Sequence, residues 1–267
     1  ITITQLVNNF VGGSALIYLV PRFNICKIYI FSAVWAVVSS VLCTLILHWF
    51  SLFPGEYFIH VLLLSALQSL ASVNLNILLG KEKVKAFNII STLQVLILFS
   101  VLAILVFYCG QKNINSYIVA LYASFSFGFI AAQISSVKLF SAENPVSFSV
   151  LLRNILRYGT YVQVANIIQL FNYRLNYFLV ESFISRSALG IFSVGVQLSE
   201  GLWLTGKSLA IIQYSKISNT NDRDYSKKIT LIFAKISFLV TAFLLAVIIF
   251  LPSDFFVGVF GKDFSEL

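Results

Sequence analysis

Residues 157–218 read RYGTYVQVANIIQLFNYRLNYFLVESFISRSALGIFSVGVQLSEGLWLTGKSLAIIQYSKIS. Two segments of this stretch, 158–180 and 187–213, are each long enough as helices to cross a bilayer, whose hydrocarbon is about 30 Å thick and needs about 20 residues at 1.5 Å rise. Yet they carry Arg174, Glu200 and Lys207, together with a row of amides, at depths where lipid would otherwise surround them. A charge near the bilayer centre costs roughly 2.5–3.5 kcal/mol on insertion scales, so such residues face a bundle interior or a watery cavity. The pair therefore reads as the polar wall of a transport path.

The rest of the chain supplies the setting. Of its 267 residues 59% are hydrophobic and 10% charged, and its mean hydropathy is +0.92; a globular domain carries about 25% charged residues. This composition excludes an ordinary soluble domain and points to an all-α integral membrane protein. A β-barrel would instead alternate polar and apolar residues in segments of about ten. Eight spans are expected, at residues 5–20, 28–50, 57–79, 86–109, 116–139, 158–180, 187–213 and 229–251. Pro21-Arg22, Pro54-Gly55, Gly110 and Pro252 punctuate them, as helix stops and turns require. The polar stretch 140–156, with Pro145 and the amphipathic run SFSVLLRNILR, is the expected connector between an N-terminal lobe at 1–139, with about five spans, and a C-terminal lobe at 157–267, with about three. With no Met and an opening at Ile1, the sequence is expected to be a piece of a longer protein.

Charge placement supports this layout. Assigning alternate loops to one side gathers twelve of the eighteen basic residues there, among them Arg22, Lys81, Lys138, Arg157 and Lys228. Three lie on the other side and three within spans. The positive-inside rule makes the richer side cytoplasmic. The net charge of +8 is mostly this bias, and it suits anionic lipid, so no nucleic-acid partner is expected. Cys26, Cys43 and Cys109 are far apart and in or beside apolar runs, so they read as buried thiols and not as a disulfide framework or a metal cluster. Neither a metal nor a cofactor is expected. His48 and His60 read as interfacial anchors near the outer boundary.

At about 100° per residue, Gln163, Asn166, Gln169, Asn172, Tyr173, Arg174, Asn176 and Tyr177 fall within one arc of 158–180, opposite Val164, Ile167, Ile168, Phe171, Leu175 and Phe178. One face suits lipid and the other something polar. Interhelical hydrogen bonding competes with this reading for any single amide, and snorkelling to the interface competes for Arg174. Glu200 sits midway along 187–213, where snorkelling is least effective, sharing a face with Ser193 and Gln197. A structural ion pair with Arg or Lys is the plain account of Glu200; an ion-coupling site or a substrate contact is the functional one. Lys207 follows two turns on. Residues 201–208, GLWLTGKS, match the phosphate-loop pattern letter for letter. That chemistry needs a flexible loop after a strand, whereas this match lies in an apolar helical run, so nucleotide binding is not expected.

Arg157-Tyr158-Gly159, then Asn172-Tyr173-Arg174-Leu175-Asn176, then 188–196 (ALGIFSVGV), with Glu200 and 213–218 (QYSKIS), resemble the O-antigen type of polysaccharide flippase, within the multidrug/oligosaccharidyl-lipid/polysaccharide exporter superfamily. The resemblance implies two facing lobes of six helices around a cationic cavity, of which this chain would supply helices two to nine. It implies alternating access that moves a polyprenyl-diphosphate-linked oligosaccharide from the cytoplasmic to the periplasmic leaflet of a bacterial inner membrane. Membrane lipid and polysaccharide assembly proteins would be its partners. On this mapping Arg174 is a candidate diphosphate or sugar contact; for such a substrate, charge and size would set Arg174 and Lys207 against the anion and Gln163, Asn166, Gln169 and Tyr173 against the hydroxyls, with Asn172 in the same substrate-binding set. Glu200 would couple transport to an ion gradient. The family often has Asp where Asn176 stands, so an ionic role there does not carry over. A multidrug exporter of the same superfamily is one alternative, and a membrane-embedded glycan polymerase, ligase or acyltransferase is another. The enzymes should show a large outer loop with clustered Arg, His or acids, whereas the outer loops here are short.

Overall fold

The computed structural model describes residues 1–140, 148–252, 255 and 258, and among these every regular element is helical. In chain order they are α1 (Thr2–Gly12), α2 (Ala15–Leu19), α3 (Ile25–Trp49), α4 (Phe58–Gly80), α5 (Val84–Ala103), α6 (Ile114–Val137), α7 (Phe148–Phe183), α8 (Arg186–Ser218) and α9 (Arg223–Ile249). A 3-10 turn, Gly55–Tyr57, leads into α4, and a π-helical turn, Ile104–Tyr108, closes α5. Side chains fix several helix starts: Asn24, Asn113, Ser185 and Asp222 each accept a backbone N–H of the following first turn, satisfying donors that a helix leaves open.

Five segments are long and apolar enough to cross a membrane: Ile25–Trp49, Gly55–Gly80, Val84–Tyr108, Ile114–Val137 and Arg223–Ile249. This is the character of an all-α membrane protein. Outward-facing Val34, Leu42, Leu45, Ile46, Leu96 and Phe99 give α3 and α5 the apolar surface that lipid requires. At 36 and 33 residues α7 and α8 are longer than any of the five, but too polar to rank with them on apolarity. Residues 5–20, expected as one span, form two helices. Gly13 is extended (φ −90°, ψ −157°) after α1, and the Asn76 amide donates to the Gly12 carbonyl at 3.0 Å, holding an acceptor that the broken helix frees.

The chain divides into two compact units, Ile1–Gln163 and Val164–Leu267, with the boundary inside α7. In the first unit α4 is central, packing against α1, α2, α3, α5 and α6. Val11, Leu16, Leu19, Ile25, Ile28 and Ile77 form its apolar core. Polar side chains join helices around it. Gln133 Oε1 accepts from Tyr29 Oη and from Asn74 Nδ2, both at 2.8 Å, and Ser136 Oγ donates to Asn74 Oδ1 at 3.0 Å. Gln94 Nε2 donates to Gln68 Oε1 at 2.9 Å, while Gly128 leaves room for the Gln94 side chain. In an apolar medium such bonds must be made within the protein, which restricts how the helices can rotate.

The expected connector, 140–156, lies partly outside the described residues, at 141–147. From Phe148 onward it is the opening of α7, and it buries Leu151 and Ile155 in the first unit's core. Tyr158 continues that contact, its ring 4.5 Å from that of Tyr18 and its hydroxyl 3.2 Å from the Tyr18 hydroxyl. All three cysteines are free, as expected, but only Cys43 is buried. Cys26 lies in the first turn of α3, on the side away from the core, and Cys109 follows the π-helical turn; both are exposed. His48 packs on Phe53 and Phe58, and His60 Nδ1 lies 3.1 Å from Tyr122 Oη.

Candidate functional site

In the second unit α8 runs between Ser185, whose side chain caps its start, and the turn before Asp222, which caps α9. The α8 and α9 helices pack together. Gln213 Nε2 donates to Thr230 Oγ1 at 3.1 Å, and Gly206 approaches Ser237 closely enough that a Cβ there would lie 3.2 Å from its Oγ. Aromatic rings hold α7 against α8. Tyr177 meets Phe192 edge-on at 5.5 Å, and Tyr173 meets Trp203 edge-on at 6.3 Å, arrangements that favour the positive ring edge over the negative face.

Beside the Tyr173–Trp203 pair lies a cavity of 260 Å³ lined by Tyr173, Asn176, Val196, Ser199, Glu200 and Trp203. Its polar groups suit a hydroxyl-bearing ligand: a carboxylate and an amide oxygen to accept, an amide and a phenol to donate. On α8 the hydroxyl of Ser199 donates back to the Gly195 carbonyl at 2.9 Å, leaving its lone pairs for another donor. Trp203 and Ser199 also line a second space, a groove of 560 Å³ between α8 and α9 completed by Leu202, Gly206, Lys207, Ala210, Ser237 and Thr241. Lys207 Nζ stands over the indole of Trp203, 5.0 Å from its centroid, within reach of a cation–π attraction of about 0.5–1 kcal/mol at an exposed site. The two spaces thus share Trp203 and Ser199, one holding a carboxylate and the other an ammonium group.

The expected residues divide into several sets. Tyr173 and Glu200 share the smaller cavity, and Lys207 belongs to the adjoining groove. Gln169 Nε2 donates to Tyr173 Oη at 3.2 Å, one turn away, so it orients the phenol. Asn166 is half-buried on the same side of α7, two turns before Tyr173. Asn172 and Arg174 are exposed and line neither space; each is one residue from Tyr173 and hence turned about 100° from it. Gln163 is buried with its Oε1 unpartnered, and it closes the first unit rather than belonging to the second. Among the described residues no opposite charge lies within ion-pair distance of Arg174, Glu200 or Lys207. The plain structural ion pair considered for Glu200 is therefore not formed among them.

Sequence reasoning passed over Ser199, Trp203, Ser237 and Thr241 as site residues. Trp203 was legible in principle, three residues after Glu200 and four before Lys207, which places all three on neighbouring turns of one face. Ser237 and Thr241, spaced i and i+4 in the apolar second half of α9, gave a weaker signal. The segment 201–208 is continuous helix within α8, so its backbone N–H groups are not displayed as a phosphate-binding loop. No group of three or more metal-ligating side chains is found among the described residues. Comparison with protein-family models, with curated proteins and with solved structures finds no match to this chain.

Proposed function

We propose that the chain is part of a transporter that moves a polyprenyl-diphosphate-linked oligosaccharide across a bacterial inner membrane, from the cytoplasmic to the periplasmic leaflet. The observation that carries this reading is the pair of adjoining spaces that share Trp203 and Ser199. A lipid-linked sugar keeps its tail in lipid, while its hydroxyls and its diphosphate need polar surfaces of different character. The smaller cavity offers Glu200, Asn176 and Tyr173 to hydroxyls, and the groove offers Lys207, Ser237 and Thr241 to an anion. In this reading α7 and α8 also span the membrane, giving with the five apolar helices and the broken first segment the eight crossings expected, out of twelve in two lobes. Their polarity follows from lining a wet path, which is where ionisable side chains within a bilayer are tolerated. The resemblance of 157–218 to O-antigen flippases supports the same assignment, as does the gathering of basic loops on one side.

Complementation of a flippase-null strain with the full-length protein tests the proposal. The wild type is expected to restore surface polysaccharide, and Glu200→Ala and Lys207→Ala to lose at least about tenfold of it, the worth of one charge-assisted contact of about 1.5 kcal/mol. Arg174→Ala should cost less, because Arg174 lines neither space. A wild-type protein that leaves polysaccharide unassembled while conferring resistance to cationic drugs would identify the multidrug exporter instead.

A further inference from the structure

The first unit holds a second set of buried polar groups that the proposed function does not use. Thr4, Asn8, Ser32, Thr44 and Ser65 are all fully buried, at 0% exposure, and each has side-chain N or O atoms without a hydrogen-bond partner in the protein. Asn8 is unpartnered at both ends of its amide. An unpaired amide or hydroxyl in an apolar interior costs roughly 1–3 kcal/mol by mutational measure, so five together call for a common explanation.

Their positions supply one. All five lie on α1, α3 and α4, which pack on one another pairwise. Gln5 Nε2 bonds Ser69 Oγ at 3.1 Å and Asn76 Nδ2 bonds the Gly12 carbonyl at 3.0 Å, so α1 and α4 run parallel in a single register. The ring of His48 lies 5.2 Å from that of Phe58, which sets α3 antiparallel to α4. Trp35 Nε1 bonds the Val7 carbonyl at 3.3 Å, and this third contact agrees with the other two. On that common register Ser32 stands level with Asn74 of α4, Asn8 with Ser72, Thr4 with Gln68 and Thr44 with Leu62, while Ser65 is on α4 itself. The unpartnered groups therefore follow one another in axial steps of roughly 3–6 Å, over about 18 Å at 1.5 Å rise per residue: Ser32, Asn8 and Thr4 where the three helices meet, and Ser65 and Thr44 just past the start of α1, where α3 and α4 continue the seam.

We propose that this seam binds a file of ordered water molecules, with Asn8 and Ser32 at one end and Thr44 at the end nearer the α3–α4 turn. Water fits the groups better than a cation does. The Asn8 amide needs an acceptor for its NH2 as well as a donor for its oxygen, and a water molecule supplies both; a cation would face the NH2 and be repelled. The α1, α3 and α4 sequences contain no Asp or Glu to balance a positive charge. One or two waters suffice for axial steps of this size, and buried waters with two to four polar partners are a regular part of protein interiors. The inference rests on first-unit residues alone and stands or falls independently of the transport reading.

Electron cryo-microscopy of the full-length protein in lipid nanodiscs, at a resolution that shows ordered water, is the test, joined to radiolytic hydroxyl-radical footprinting of the same sample. Density is expected within hydrogen-bond reach of both ends of the Asn8 amide and of Thr4 Oγ1, and Val73, fully buried and packed beside Gly12 in the seam, should oxidise several-fold faster than equally buried Leu19. Two results overturn the proposal. One is a dry seam in which the hydroxyls turn to backbone carbonyls, Asn8 pairs with protein and Val73 is as protected as Leu19. The other is sodium-dependent density at Asn8, which would assign the site to a cation.

Discussion

Gly159→Leu is expected to destabilise the protein by about 3 kcal/mol or more, the upper range for forcing extra volume into a close-packed contact. A Cβ at Gly159 would overlap the carbonyl oxygen of Phe10, a backbone atom that cannot rotate away. α1 has little freedom to retreat, because Gly12, two residues on, is pressed against Val73 and its carbonyl is held by Asn76. The opening of α7 is likewise fixed, by Leu151 and Ile155 in the core and by the paired tyrosines Tyr18 and Tyr158. Gly190→Ala is the control: a Cβ there meets nothing within 4 Å, so alanine should be neutral or should add up to about 1 kcal/mol of helix propensity. Thermal unfolding of the purified variants in detergent measures both. Equal melting temperatures for the two would contradict the close approach of α7 to α1.

Glu200→Gln is expected to remove the dependence of translocation on an ion gradient while leaving the protein folded. Glutamine keeps the shape of the side chain and its place beside Tyr173, Asn176 and Ser199, but it can neither release a proton nor attract a cation. Because Glu200 has no ionic partner among the described residues, the substitution strands no buried countercharge, and stability should change by less than about 1 kcal/mol. The readout is the rate of translocation in proteoliposomes with and without an imposed proton or sodium gradient. Gradient dependence equal to that of the wild type would remove the coupling role and leave Glu200 as a substrate contact.

The helices legible from sequence were those in which one signal sufficed. α3, α4, α5 and α6 are apolar runs bounded by Pro, Gly or charged turns, and the structure places their ends within a few residues of the expected ones. The break in the first segment was not legible, because Gly12-Gly13 reads equally as a tolerated glycine pair in a membrane helix; the acceptor that the break frees is satisfied by the Asn76 side chain, 64 residues away. The run 148–156 read as a separate amphipathic connector for a related reason. Its apolar residues Leu151 and Ile155 are buried in a cluster drawn from α1, α2, α3 and α4, and periodicity within the run does not reveal that burial. In the candidate site, helical spacing placed Tyr173 and Glu200 on polar faces. It did not show which faces meet, and so gave Arg174 the prominence that Trp203 holds in the geometry. The cysteines make the same point on a small scale, since an apolar neighbourhood in sequence leaves Cys26 and Cys109 exposed.

If polar side chains of α7 and α8 line a space that water reaches while their apolar faces meet lipid, the two kinds of position will differ in cysteine accessibility. In the full-length protein with Cys26, Cys43 and Cys109 replaced, single cysteines at Asn176, Ser199 and Glu200 should react with a membrane-impermeant, charged thiol reagent, and lipid-linked oligosaccharide should slow them. Cysteines at Phe171 and Phe178, whose side chains point outward from the opposite face of α7, should stay unreactive. Three inert cavity positions, or cysteines at Phe171 and Phe178 that react as fast as those in the cavity, would show that no water-filled path runs along these helices.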